Sequence, residues 1–233
     1  MGIKNYFLDF CDLLIPECCS TCQSPLVTGE KCICISCLSK LDYTNFWKQE
    51  ENALIDLLRV RNGCEFAFAL SYFNKTGICR EILHSLKYKD NEKLAIEMGK
   101  IAGFKLSEMT EVHEYDTIVP VPISVKRRRK RAYNQSEKIA IGMNYFLKMK
   151  LVPTALRRKN GVASLTRLSK EQRLRALTKV FYCPDKTLLH ERSILLIDDV
   201  YTTGATANAC LDIIQEGGAK KVGFACLAFN ANY

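Results

Sequence analysis

The sequence has no apolar run near the roughly 20 residues needed to cross a bilayer, so no membrane insertion is expected. It contains neither G-x-x-x-x-G-K-[ST] nor G-x-G-x-x-G, which sets aside a P-loop and a dinucleotide fingerprint. Its three histidines, His84, His113 and His190, are isolated from one another and read as structural or surface positions. Internal repeats and low-complexity tracts are missing. The apolar stretch "IKNYFLDFCDLLIP" is interrupted by Asp9 and Asp12 and has neither a basic start nor a small-residue cleavage site. It is therefore not read as a signal peptide, and a cytoplasmic location is expected.

What is present is unevenly placed. The 233 residues carry a net charge of +9, yet residues 123–175 alone hold 16 Lys or Arg against 2 Asp or Glu. A polyanionic partner is more plausible for that segment than for the chain as a whole. Its densest part is "KRRRKR": Lys126, Arg127, Arg128, Arg129, Lys130 and Arg131. Twelve cysteines are equally clustered, with seven between Cys11 and Cys37. In a reduced chain that points to metal more than to disulfides. Two C-x-x-C pairs, Cys19/Cys22 and Cys34/Cys37, can aim four thiolates at one structural Zn²⁺. Pro25 and Gly29 between them supply turn chemistry for a ribbon hairpin. Cys18 and Cys32 are spare and could replace a neighbour, and a set of buried free thiols is the alternative. A closed four-thiolate site has no open position for catalysis, so its expected role is to fold a segment too small for its own core. Cys64, Cys79, Cys183, Cys210 and Cys226 are scattered and read as small hydrophobes.

Downstream, strands alternate with helices. Strand patterns cover 64–73, 115–123, the region near 152–156, the "RSILLIDD" run and 220–229. Helix patterns cover 77–88, 94–106, 134–149, the region near 170–179 and 204–218. Asn134 with Glu137 three residues on suggests a capping box. The alternation predicts an α/β fold with a doubly wound parallel sheet. The expected division is a four-cysteine module over 1–45, a linker or helix over 46–63, and the sheet domain over 64–233.

One stretch carries chemistry. "ILLIDDVYTTGAT" ends an apolar strand, Ile194–Ile197, on two acids, Asp198 and Asp199, and continues into Thr202, Thr203, Gly204, Ala205 and Thr206. In a doubly wound sheet this strand end is where ligands bind. The turn opens a helix, so its backbone N–H groups, its hydroxyls and the helix dipole make a phosphate cup. Acids beside such a cup would repel phosphate unless they accept hydrogen bonds from a sugar diol on the same ligand. A ribose 5-phosphate group satisfies both.

The same thirteen residues resemble the signature of type I phosphoribosyltransferases that binds phosphoribosyl pyrophosphate (PRPP), with Tyr201 departing at a usually aliphatic position. The resemblance implies that Asp198 and Asp199 hold the ribose, that Thr202–Thr206 hold the 5-phosphate, and that Mg²⁺ arrives with the substrate. Taken in order, the cysteine pairs, "LSYFNKTGICREILHSLKYKDNEKLAIEMG", "VPVPISVKRRRKRAYNQSEKIA" and the acid–threonine loop are similar to the ComF family of competence-associated proteins. That implies a phosphoribosyltransferase-like fold with an N-terminal zinc ribbon and a role in DNA uptake. Single-stranded DNA and a DNA-uptake helicase would be the partners. Arg131, Asn134 and Gln135 match the family's Arg-Gly-Phe-Asn-Gln element, with Ala132 and Tyr133 replacing Gly and Phe. Lys87 and Lys89 match its Lys-Tyr-Lys element, and Arg158, Leu168, Arg173 and Phe181 its basic loop. Leu165 and Ala176 stand where that loop has Gln and Asn. Lys126–Arg131, Asn134 and Gln135 thus become candidates for pyrophosphate or nucleic acid, and Tyr133 a candidate for base stacking. One expectation is phosphoribosyl transfer to a nitrogenous base. The other is a DNA-binding or regulatory protein that keeps the fold without transferase activity.

Overall fold

The computed structural model describes residues 17–49, 51–87, 91–159 and 180–231. The stretch 1–16, the helix expected near 170–179, and Lys89, Leu165, Leu168, Arg173 and Ala176 lie outside them. In chain order the helices are α1 (Ile35–Leu38), α2 (Ala53–Asn62), α3 (Ile78–Ser85), α4 (Glu92–Ser107), α5 (Val125–Arg131), α6 (Gln135–Leu147) and α7 (Ala205–Glu216). The strands are β1 (Phe66–Tyr72), β2 (Thr117–Pro120), β3 (Lys150–Leu151), β4 (Arg157–Arg158), β5 (Phe181–Tyr182), β6 (Ser193–Tyr201) and β7 (Lys221–Phe229). Five strands form one parallel sheet in the order β1-β7-β6-β2-β3, and β4 and β5 form a separate antiparallel pair.

Strand geometry turns successive side chains to opposite faces, and the apolar run of β6 fills both. Leu195 and Ile197 enter one core with Phe66, Phe68, Leu70, Ile118 and the inner faces of α3, α4 and α6. Ile194 and Leu196 enter the other with Val119, Phe224 and residues of α2 and α7. The cysteine module has no core of its own: Cys19, Ile33, Cys34, Cys37 and Leu41 belong to the first cluster. Asn52 caps α2, its Oδ1 accepting from the N–H groups of Leu54 and Ile55 at 3.1 and 3.0 Å.

Four local expectations are corrected. The acids do not terminate β6. The strand continues to Tyr201 because β7 keeps pairing with it as far as Phe229. The strand expected at 152–156 is instead β3, ending at Leu151, followed by turns; Pro153 has no N–H to extend a ladder. Asn134 occupies the N-cap of α6 but makes no side-chain cap. Its Nδ2 donates instead to the Val121 carbonyl at 3.0 Å. Among the described residues no strand pair forms between the cysteine pairs; a Cys18–Pro25 bridge closes around the first pair instead, and the second pair opens helix α1.

Candidate phosphoribosyl site and cysteine centre

Asp198 and Asp199 lie near the C-terminal end of β6. Asp198 is buried and Asp199 partly exposed. The Asp198 Oδ1 accepts two hydrogen bonds at 2.9 Å, from the Ser136 hydroxyl and from the Asp199 backbone N–H. Burial, and then repulsion by Asp199, still push the Asp198 carboxyl well above its ordinary pKa, because those two donors only partly offset the lost solvation. Past Tyr201 the chain turns through Thr202 and Thr203 to Gly204, which takes φ +71° as the N-cap of α7. Positive φ there lets the chain reverse tightly into the helix. The first-turn N–H groups of a twelve-residue helix therefore open at the same sheet edge as the acids.

The cations follow β2. Ser124 caps α5, its hydroxyl accepting from the Arg127 N–H at 3.3 Å, and no residue of α5 is buried. Lys126, Arg127, Arg128, Arg129 and Lys130 are exposed and Arg131 half-buried. Arg131 is depressed by burial and then by Arg127, with Asp199 opposing. Arg158 of β4 is likewise depressed by burial and then by Arg127. Guanidinium groups stay charged in proteins, so both depressions mark desolvated cations that an anion would stabilise.

Residues 131–136 tie this region together. Arg131 Nη1 donates to Gln135 Oε1 at 2.9 Å. The Leu86 carbonyl accepts from the Tyr133 hydroxyl at 2.6 Å and from Gln135 Nε2 at 3.0 Å. Asn134 holds Val121 and Ser136 holds Asp198. Asn134 and Gln135 thus spend their amide donors on backbone carbonyls, while the buried Asn134 Oδ1 has no protein partner. Tyr133 is buried with its hydroxyl committed, which removes it as a base-stacking surface. Ala132, where the resemblance has glycine, takes φ +69°. Ser136 was not singled out by sequence; its only signal was its place directly after Asn134 and Gln135.

At the other end of the chain, the sulfurs of Cys19, Cys22, Cys34 and Cys37 all lie within 4.8 Å of one another. The Cys19–Cys37 and Cys22–Cys34 separations are 3.8 and 3.7 Å. Metal–sulfur bonds of about 2.3 Å in a tetrahedron require sulfur–sulfur edges of about 3.8 Å. The four thiols can therefore hold a metal ion such as Zn²⁺ with little movement. The Cys34 N–H donates to Cys19 Sγ at 3.4 Å, which suits a thiolate. Cys18 and Cys32 are not in the set.

A parallel sheet with an acid–threonine loop at its C-terminal edge is the architecture of a phosphoribosyl transferase domain, and residues 84–233 match the family model of that description. The chain belongs to this family, as a ComF-type member with an N-terminal four-cysteine module. It is 33% identical over 123 residues to the competence protein ComFC of Streptococcus pneumoniae, covering 52% of this chain and 51% of that one. It is 26% identical over 149 residues to the DNA utilization protein YhgH of Escherichia coli, covering 63% and 65%. The competence protein F of Haemophilus influenzae is 26% identical over 145 residues, covering 60% and 63%. The chain thus spans between about half and just under two thirds of the length of these relatives. Among the described residues no helix is long and apolar enough to cross a membrane.

Proposed function

We propose that this protein binds PRPP, or another ligand ending in ribose 5-phosphate, at the C-terminal edge of β6. The observation that carries the reading is the continuity of Asp198 and Asp199 with the Thr202–Thr206 turn at the N-terminus of α7. The acids would accept the ribose hydroxyls, and the turn's N–H groups and threonine hydroxyls would hold the 5-phosphate. Arg131, desolvated and facing the field of Asp199, would meet the pyrophosphate with its neighbours on α5. Mg²⁺ arriving with PRPP would supply further neutralisation of the leaving group. In a transfer reaction a nitrogen nucleophile bonds to the ribosyl C1, and the C1–oxygen bond breaks with its electron pair leaving on pyrophosphate. We assign zinc to the four cysteines as a structural ion, which a reducing cytoplasm would keep loaded by preserving the thiols. The relatives' names, competence and DNA utilization, support a role for this ligand site in DNA uptake.

Calorimetry with PRPP and Mg²⁺ tests this. Wild type should bind and Asp198→Asn/Asp199→Asn should not; no heat from wild type would refute the site. Pyrophosphate release on adding a nucleobase would establish transfer, and its absence would make PRPP a regulatory ligand.

The exposure of five consecutive cations on α5 favours a second reading, in which this helix also contacts single-stranded DNA or a helicase partner bearing it. Phosphate contacts give strong salt dependence and little sequence preference. Replacing Lys126–Arg131 by Ala should flatten the salt dependence of oligonucleotide binding. Binding by this variant with the wild-type salt slope would remove the reading.

A further inference from the structure

Tyr201 raises a question that packing alone does not answer. It ends β6 in the core, 6% exposed, with its ring edge-on to Phe224 at 5.7 Å and tilted on Phe229 at 5.9 Å. An apolar side chain would fill that space, whereas a buried hydroxyl is unfavourable unless it has a use. Burial raises its pKa, and the Asn208 side chain, one turn into α7, opposes that shift. Asn208 is also buried, and its Oδ1 has no protein partner. The Asn208 backbone N–H donates to the Gly204 carbonyl at 2.8 Å. A Cβ added to Gly204 would lie 2.2 Å from the Tyr201 hydroxyl oxygen and 2.9 Å from Asn208 Nδ2. The threonine turn therefore rests directly on this pair. Its own side-chain contact, Thr203 Oγ1 accepting from the Ala205 N–H at 3.5 Å, is too long to fix it. From the far side, Asn62 at the end of α2 donates from Nδ2 to the Asn208 carbonyl at 3.3 Å.

We propose that Tyr201 and Asn208 are positioning residues that bracket the Thr202–Thr206 turn from below and set its affinity for the terminal phosphate of a phosphoribosyl ligand. The pair does not touch the ligand. It fixes the turn between residues 201 and 208, so that the N–H groups converge before the phosphate arrives. This inference rests on the proposed ribose 5-phosphate site and adds the device that preorganises it.

The test is a double-mutant cycle on the full chain, titrating ribose 5-phosphate and inorganic pyrophosphate separately. Tyr201→Phe keeps the ring and removes the hydroxyl that packs under Gly204, and Asn208→Ala removes the amide beside it. Each single change should weaken ribose 5-phosphate about three- to tenfold, the size of one polar contact. Each should leave pyrophosphate, which would meet the α5 cations, within about twofold. The double variant should lose less than the two single losses multiplied together, because both side chains support the same glycine. Unchanged ribose 5-phosphate affinity in Tyr201→Phe overturns the proposal. So does an equal loss for both ligands alongside a lower melting temperature, which would make the pair structural only. If wild type binds pyrophosphate but not ribose 5-phosphate, the phosphoribosyl reading itself fails, a result distinct from either.

Discussion

Replacing Gly142 by Ala sets two effects of opposite sign against each other. Helices α4 and α6 cross with their backbones in contact. A Cβ on Gly142 would lie 2.1 Å from the Ile96 carbonyl oxygen and 2.8 Å from the Gly99 Cα. Reaching 3.0 Å, below which real Cβ contacts essentially never fall, requires the helices to part by roughly 0.9 Å. The atoms met are backbone and cannot rotate away, so overpacking should cost the upper end of its usual range, about 3 kcal/mol. A gap of that size also forfeits a quarter to a half of each dispersion contact across the crossing. Helix propensity acts the other way, since Ala is favoured over Gly by about 1 kcal/mol in a helix interior. The net expectation is a loss of about 2 kcal/mol, which in a chain of this length lowers the melting temperature by about 4–8 °C. Calorimetric melting of Gly142→Ala without ligand measures it. A second readout follows from position. Helix α6 starts at Gln135 and presents Ser136 to Asp198, so the parted helix should also bind ribose 5-phosphate more weakly. A raised melting temperature, the outcome propensity alone gives, would refute the close-crossing argument.

Two further outcomes follow from the site and the cysteine centre. Asp198 has its folded pKa raised by burial and then by Asp199, so from the free value of 3.8 upward the folded state binds more protons than the unfolded one. Stability without ligand should therefore fall as pH rises through that window. Asp198→Asn should flatten the fall and be more stable near neutral pH while losing phosphoribosyl affinity; urea titrations over a pH series that show the wild-type slope in this variant would contradict the assignment. Cys37→Ser should abolish stoichiometric zinc by elemental analysis and lower the melting temperature, because Cys37 is both a candidate ligand and part of the core shared with α4. Full stability of wild type in a strong chelator would overturn the structural-ion role.

The parts of the fold that were legible in the sequence are those where one residue pattern has one physical use. The unbroken apolar runs of β6 and β7 could only be strands buried on both faces. Two C-x-x-C pairs could bring four sulfurs together however the chain between them ran. What was not legible depended on partners distant in sequence. Val200 and Tyr201 lie beyond the acids at which the strand was expected to end, and pairing with β7 keeps them in it. Asn134 and Glu137 make a good local capping signature. It fails because the Val121 carbonyl, at the start of a proline-containing loop, competes for the Asn134 amide. Tyr133 sits beside six cations in sequence and reads as exposed, yet the chain turns it inward to the Leu86 carbonyl. Ser136 is an ordinary serine until the fold sets it 2.9 Å from an acid 62 positions away.

The two acids, alike in sequence, have different environments, and the difference bears on which ligand suits the site. Asp198 is buried and its Oδ1 is already engaged by Ser136 and the Asp199 N–H. Its remaining accepting capacity is mainly on Oδ2. Asp199 is partly exposed and lies in the field of Arg131. A free phosphate would find the turn's donors but also the repulsion of both carboxyls. A free cation would relieve the acids but meet the field of Arg131 and the α5 helix. A sugar phosphate would meet each demand at once: its hydroxyls would donate to the acids, its anion would reach the helix N-terminus, and a pyrophosphate on the same ring would neutralise the cations. The desolvated Arg131 and the raised Asp198 are two separate costs of the ligand-free state. One ligand carrying both hydroxyl donors and two anionic ends would relieve both. That convergence favours the phosphoribosyl reading over any of its parts taken singly.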